Sequence, residues 1–287
     1  MDIRFPNLGW IFENVPEGFT IFGIEIKLYG IMISFGFLLG YLSAYFEAKR
    51  TKQDPELYLD YVICMVIPAI VGARLYYVIF AFDRYKDNLL DIFKIRQGGL
   101  AIYGGIIASV ITLFIFAKKR KQNVFLMSDT CAMGLLIGQI LGRWGNFFNR
   151  EAYGGFTDSL LAMAIPVQDA SVLNEELLSH QVFFDGIPYI QVHPTFLYEG
   201  LWNLGLLLIL FFYRKHKKFH GEMTAIYFLG YGIGRFLIES LRQDQLILAT
   251  IQGVAIPVSQ VVAVILVVAS VIFIIYGRKN KRIEPCA

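Results

Sequence analysis

Charge is scarce in this chain: Asp, Glu, Lys and Arg make up 17% of its 287 residues, against about a quarter in an ordinary soluble domain. Disordered segments and nucleic-acid-binding tails need the opposite balance, so both are excluded, and no nucleic-acid partner is expected. Cysteine is scarcer still. Cys64, Cys131 and Cys286 are scattered, odd in number and form no CxxC, which leaves neither a disulfide framework nor a zinc site. The terminal Cys286-Ala287 does not fit a prenylation box. Residues 1–26 contain acids and proline and lack a basic start followed by an apolar run, so no signal peptide is expected. No linker, low-complexity tract or internal repeat is visible. What fills the space is apolar. Hydrophobic residues reach 56%, aromatics 15%, and mean hydropathy is +0.55. That composition suits a chain that crosses a membrane interface repeatedly.

A membrane span needs about 20 predominantly apolar residues. Seven stretches qualify, at 27–46, 57–81, 99–117, 124–143, 195–213, 223–241 and 259–276. The expected fold is therefore an all-α polytopic membrane protein, with residues 1–287 forming a single integral membrane domain. Lys and Arg placement sets its orientation. The segments 47–56, 118–123, 214–222 and the tail from 277 hold 15 of the 26 basic residues in about 36 positions, and the alternate segments hold 9 in about 114. The N-terminus is thus expected outside and the C-terminus in the cytoplasm, the parity of an odd number of spans.

Two outer segments stand out. Segment 82–98 sets Leu89, Leu90, Ile92, Phe93 and Ile95 among charges and reads as a short amphipathic helix lying in the interface, an interfacial arm. Segment 144–194, between the fourth and fifth spans, is long enough for a small extracytoplasmic head, and LLAMAIPV and FFDGIPYIQV within it read as short strands.

A charge in lipid costs at least about 2.5–3.5 kcal/mol, so each intramembrane charge needs a reason. Depth along the spans places Tyr29, Arg74, Tyr103, Arg143, Glu199, Arg235 and Glu239, from six helices, in the outer leaflet. Snorkelling, interface anchoring or an internal Arg235–Glu239 pair would explain any one of them. The set at one depth instead describes a basic cavity that suits an anionic phospholipid, because guanidinium forks match phosphate oxygens. Asp60, Asp129 and Glu47 fall near cytoplasmic helix ends and read as caps or solvated groups.

The densest polar stretch is Gly142-Arg143-Trp144-Gly145-Asn146-Phe147-Phe148-Asn149-Arg150-Glu151-Ala152-Tyr153-Gly154-Gly155. There a helix is expected to end at the surface, the chain turning through Gly145. Its amides and guanidinium suit phosphate or glycerol oxygens, and its carboxylate can orient an Arg or accept a proton. This stretch closely resembles the G-R-x-G-N-F-x-N-x-E-x-x-G signature of bacterial prolipoprotein diacylglyceryl transferases. Further blocks are similar in the same order: Tyr29-Gly30, the glycines around Tyr103-Gly104-Gly105, His193-Pro194-Thr195-Phe196-Leu197-Tyr198-Glu199, and Tyr231 to Glu239 followed by Leu241-Arg242-Gln243-Asp244. One departure is Tyr103, where many members carry His, which weakens any mechanism needing an imidazole base there.

The resemblance implies transfer of the diacylglyceryl group of phosphatidylglycerol to the lipobox cysteine of a preprolipoprotein signal peptide, releasing glycerol-1-phosphate at the bacterial plasma membrane. It implies no metal and no soluble cofactor. By the same resemblance Arg143 and Arg235 hold the phosphate, and Tyr103 and Glu151 complete the catalytic set. Tyr29, Asn146, Gly154, Glu239, Tyr231, Gly104 and His193 line the substrate site. A seven-helix lipid carrier is the main rival reading, although it would more often show two repeated halves. An intramembrane serine protease is a weaker one, since no G-x-S motif occurs and no His lies mid-span.

Overall fold

A computed structural model describes residues 2–86, 88–95, 98–251 and 254–279. Arg96 of the expected arm, and Lys281, Arg282 and Cys286 of the tail, lie outside the described residues. The chain is mostly helical: α1 (Leu28–Arg50), α2 (Glu56–Phe80), α3 (Ile102–Lys119), α4 (Val124–Asn149), the short α5 (Glu175–Ser179), α6 (Thr195–Tyr213), α7 (Glu222–Glu239) and α8 (Val258–Lys279). Among the described residues, six of these, α1, α2, α3, α4, α6 and α8, are long and apolar enough to cross a membrane. They expose side chains that water would not tolerate in such number, among them Ile67, Phe114, Phe212, Ile265 and Ile272. The expected sixth span, 223–241, is helical as α7. Three charges in its 18 residues, Glu222, Arg235 and Glu239, set it apart from the other six.

Helix boundaries have local causes. The Asn123 side chain caps α4, accepting from the N–H groups of Phe125 and Leu126 at 2.9 and 3.2 Å. Gly221 opens α7 at φ +97, a left-handed position that favours glycine. Next to it Glu222 is fully buried, accepting from Lys218 N at 2.6 Å and Tyr213 Oη at 3.0 Å and pairing with Arg278 of α8 at 2.9 Å. That arrangement ties the end of α8 to the turn between α6 and α7.

Two compact units divide the chain, Met1–Gly40 with Ala132–Ala287 and Tyr41–Cys131. In the first, α4, α6 and α7 pack through Ala132, Met133, Leu136, Leu206, Leu210, Met223 and Tyr227. A five-stranded antiparallel sheet joins them, built from β1 (Ile3–Phe5), β2 (Trp10–Phe12), β5 (Met163–Pro166), β6 (Val182–Phe184) and β7 (Ile187–Val192) in the order β2-β1-β5-β7-β6. Its core is Ile3, Phe5, Ile165, Ile190 and Val192, packed with Phe147 of α4 and Phe196 of α6. Strands were expected in the 144–194 insertion alone, yet the sheet also recruits the N-terminal residues. Ile3 and Phe5 alternate inward, a three-residue pattern too short to read from sequence. Two hairpins complete the unit, β3 (Gly18–Ile21) with β4 (Ile24–Lys27) and β8 (Ile247–Ile251) with β9 (Val254–Pro257), the latter in a segment that read only as a loop.

The second unit centres on α2 against α3, with Ala44, Leu57, Tyr58, Tyr61, Phe116 and Met127 in its core. Among the described residues of 82–98 the expected amphipathic α-helix is absent. They form 3₁₀ turns at Phe82–Arg84 and Leu89–Phe93, with Leu90 and Phe93 exposed. Arg74 explains its shape. Buried in α2, it donates from Nε to Ile92 O at 2.8 Å, from Nη1 to Gly98 O at 2.7 Å and Gly99 O at 3.0 Å, and from Nη2 to Asp91 O at 2.7 Å. All three nitrogens bind loop carbonyls, so the arm is shaped by a guanidinium rather than by helical bonds. Arg74, expected among the cavity residues, is a clamp on this loop. Arg74→Ala should cost about 2–3 kcal/mol, the worth of lost charge-assisted bonds. Thermal unfolding in detergent measures it, and Arg74→Lys should recover only part because an ammonium lacks the planar fork.

Candidate functional site

The candidate site is built in the first unit, where α4 ends, α6 begins and α7 ends. Helix α4 does not stop before Gly145 as expected. It continues to Asn149, and the chain turns at Arg150 and Ala152, both at positive φ. Gly145 serves another purpose: a Cβ there would stand 2.7 Å from the Tyr29 ring, so its absence lets Tyr29 of α1 lie against α4. One added turn of helix keeps Arg143, Asn146 and Asn149 on one face. Arg143 Nη1 donates to Asn146 Oδ1 at 3.3 Å, and Asn146 and Asn149 donate to Glu151 Oε1 at 2.8 and 3.3 Å.

Two arginines converge on one buried carboxylate. Arg143 Nη2 lies 2.7 Å from Glu199 Oε1, and Arg235 Nη1 lies 3.3 Å from Glu199 Oε2. Arg235 Nη2 also pairs with Glu239 Oε2 at 2.7 Å, one turn along α7. The carboxylates are nearly sealed, at 3% and 4% side-chain exposure, while the arginines keep 19% and 15%. Both arginines therefore keep some exposure, whereas the acids that pair with them are sealed. Arg242 extends the row, 4.0 Å from Glu239 and bound to both oxygens of Asp244 at 2.9 and 2.7 Å. Burial alone would raise the Asp244 carboxyl, but the Arg242 fork outweighs it and holds the group below the usual carboxylate range.

Below this row the same three helices carry a neutral polar layer. Gln139 Nε2 donates to Tyr227 Oη at 2.8 Å, and the Tyr227 and Tyr231 rings stack at 5.8 Å. Asn203, one turn after Glu199 on α6, is fully buried, and neither atom of its amide has a hydrogen-bond partner. Such a group is costly to leave unpaired.

A backbone strap fixes the end of α7. Gly154 N donates to His193 O at 2.9 Å, His193 N to Gly155 O at 3.1 Å, and Gly155 N to Leu241 O at 3.0 Å. A Cβ on Gly154 would lie 2.7 Å from Leu241 O and 2.8 Å from His193 Cβ, so the strap closes only around glycine. Thr195 Oγ1 adds a bond to Ala152 O. The His193 ring contacts Tyr198 Oη at 3.3 Å, and burial lowers its proton affinity, which favours a neutral imidazole.

Of the residues singled out in the sequence, Tyr29, Arg143, Asn146, Glu151, Gly154, His193, Tyr231, Arg235 and Glu239 all fall in the first unit, and the contacts above link Arg143 to Asn146, Glu151, Arg235 and Glu239. Tyr103 and Gly104 fall in the second unit. There the Tyr103 ring lies 6.3 Å from Tyr76, and Gly104 packs against the backbone of Gly72, where a Cβ would clash. The bridging role of Glu199 and the layer of Gln139, Asn203 and Tyr227 were missed. Their signal was the four-residue spacing Glu199–Asn203 and Tyr227–Tyr231–Arg235–Glu239 on otherwise apolar helices.

The family model of prolipoprotein diacylglyceryl transferase matches residues 16–276. A phosphatidylglycerol–prolipoprotein diacylglyceryl transferase of Finegoldia magna is 43% identical over 263 residues, 91% of this chain and 95% of the relative. Proteins of the same name from Clostridium botulinum and Clostridioides difficile are 39% and 38% identical over 93% and 92% of this chain, and 99% and 96% of their own lengths. By this match along nearly its whole length, the chain belongs to the prolipoprotein diacylglyceryl transferase family.

Proposed function

We propose that this chain transfers the diacylglyceryl group of phosphatidylglycerol to the lipobox cysteine of a preprolipoprotein signal peptide and releases glycerol-1-phosphate. The observation that carries the reading is the pair Arg143 and Arg235, both partly exposed and joined through the buried Glu199. The reaction forms a carbon–sulfur bond and breaks the carbon–oxygen bond to phosphate. The thiol proton leaves with the phosphate monoester, so atoms and charge balance. Charge builds on the phosphate oxygens as that bond breaks, and fixed guanidinium donors stabilise it in a site where water competes poorly. The same cationic field favours the attacking thiolate.

In this reading Asn146 and Glu151 shape the head-group site, Glu239 steadies Arg235, and Gly154 and His193 hold the strap beside it. Tyr29 and Tyr231 border the lipid. The seven expected spans, with α7 as the sixth, put the N-terminus outside and the C-terminus in the cytoplasm of a bacterial plasma membrane. Residues 144–194 then form an extracytoplasmic head, residues 82–98 lie along the outer interface, and a translocated signal peptide presents its cysteine at the depth of the arginines. No cofactor takes part.

The test is direct. The purified full-length chain, phosphatidylglycerol vesicles and a lipobox peptide should yield a cysteine thioether adduct by mass spectrometry, with glycerol-1-phosphate in equal amount. Lipid movement without an adduct would establish the carrier reading instead.

A further inference from the structure

The arginines of the site are already paired. Glu199 gives one oxygen to Arg143 at 2.7 Å and the other to Arg235 at 3.3 Å, so a planar, bidentate anion occupies the place between the two guanidiniums. A phosphate that engages both must displace it. A second difficulty concerns the product. Phosphatidylglycerol carries one negative charge on its phosphodiester, whereas a phosphate monoester approaches two near neutral pH. Two fixed arginines would therefore hold the product more tightly than the substrate, and release would limit turnover.

The structure supplies both a competitor and a place for it to go. The competitor is Glu199 itself, whose other charged and titratable neighbours are Arg143 from α4, Arg235 and Tyr227 from α7, and Arg242 just beyond α7. The refuge is Asn203. It lies one turn along the same face of α6, is fully buried, and has an amide N–H without an acceptor. Residues four apart on a helix are within side-chain reach, and a carboxylate moved toward Asn203 would satisfy that amide.

We propose that Glu199 is a switching positioning residue: it bridges Arg143 and Arg235 in the lipid-free site, yields to the phosphate and turns toward Asn203, and then returns to the arginines to expel glycerol-1-phosphate. This rests on reading the arginine pair as the phosphate site. It deepens that reading by giving the paired geometry a part in turnover, and it accounts for the unpartnered amide one turn below.

Glu199→Gln and Asn203→Leu in the full-length protein test the switch, with glycerol-1-phosphate inhibition, KM for phosphatidylglycerol and kcat as readouts. Glu199→Gln keeps the shape and removes the competing charge. Its inhibition constant for glycerol-1-phosphate should fall about tenfold, the worth of one charge-assisted hydrogen bond, with a lower KM and a lower kcat. Asn203→Leu removes the refuge and should move both constants the opposite way by about tenfold. General damage to a shared buried layer would not move them in opposite directions. Shifts of the same sign in both variants, or an unchanged inhibition constant in Glu199→Gln, would overturn the switch. Where Asn203→Leu does not fold, Asn203→Asp must give its sign, because a second carboxylate also closes the refuge. Glycerol-1-phosphate binding, followed by thermal shift, reads the same competition without transfer, so failure of the switch and failure of the transferase reading are distinguishable.

Discussion

Arg143→Ala and Arg235→Ala should each lower diacylglyceryl transfer by about 10³-fold, to the background of the assay. Each change removes a partly exposed guanidinium from the pair, and it also leaves a sealed carboxylate with fewer counter-charges. Both effects act on the same reacting phosphate, so the double variant should be little worse than either single one, as expected for groups that act as a unit. Lysine at either position should recover only part of the activity, since an ammonium cannot bridge two oxygens in the plane of the fork. Single-turnover transfer to a lipobox peptide measures all of these. Full activity in both alanine variants would remove the arginine pair from the mechanism.

Gly154→Ala should lower transfer by about 10²-fold without touching any charged group, because a shift near 1 Å at a reacting centre costs that much. The added methyl meets Leu241 O and His193 Cβ at 2.7 and 2.8 Å, and both belong to the strap that closes on the end of α7. The strap cannot yield at one bond alone, since Gly154 N, His193 N and Gly155 N close a continuous set of backbone contacts. Displacement therefore passes to Arg242 and Glu239, and through Glu239 to Arg235. Unfolding temperature should fall as well. The distinguishing result is a loss in kcat that persists at temperatures where the variant remains folded.

The arginines were legible because charge in an apolar helix is rare and conspicuous, and the motif around Arg143 marked the polar end of α4. Seven helical stretches were legible for the same reason, since apolar runs of that length have few alternatives. Glu199 was visible as an intramembrane acid, but its bridging position depends on three helices meeting, which no local pattern encodes. Arg74 misled for a physical reason: a buried guanidinium can satisfy itself on loop carbonyls as well as on a ligand, and sequence does not say where a loop folds. Glycine misled in a similar way. Gly145 read as a turn, whereas the helix continues and the missing side chain makes room for Tyr29. The N-terminal strands β1 and β2 escaped because three residues carry too little periodicity to stand out.

The charges of α7 also constrain how the chain is made. A helix releases into lipid from the translocation machinery according to its own hydrophobicity, and each unpaired charge near its centre opposes that step by about 2.5–3.5 kcal/mol. Helix α7 carries Glu222, Arg235 and Glu239; Arg235 and Glu239 pair within the helix, while Glu199 of α6, a second partner of Arg235, is synthesised before it and Arg278 of α8, a partner of Glu222, after it. Helix α8 contributes no residue to the candidate site, yet its last turn supplies a counter-charge to Glu222, and Gln260 near its start binds Phe236 O of α7 at 3.2 Å. On the seven-span reading, α7 settles only when its neighbours on both sides have emerged. Helix α8 then acts as an insertion partner for the helix that carries Arg235, and a nascent chain stopped before it would leave Glu222 without its Arg278 partner.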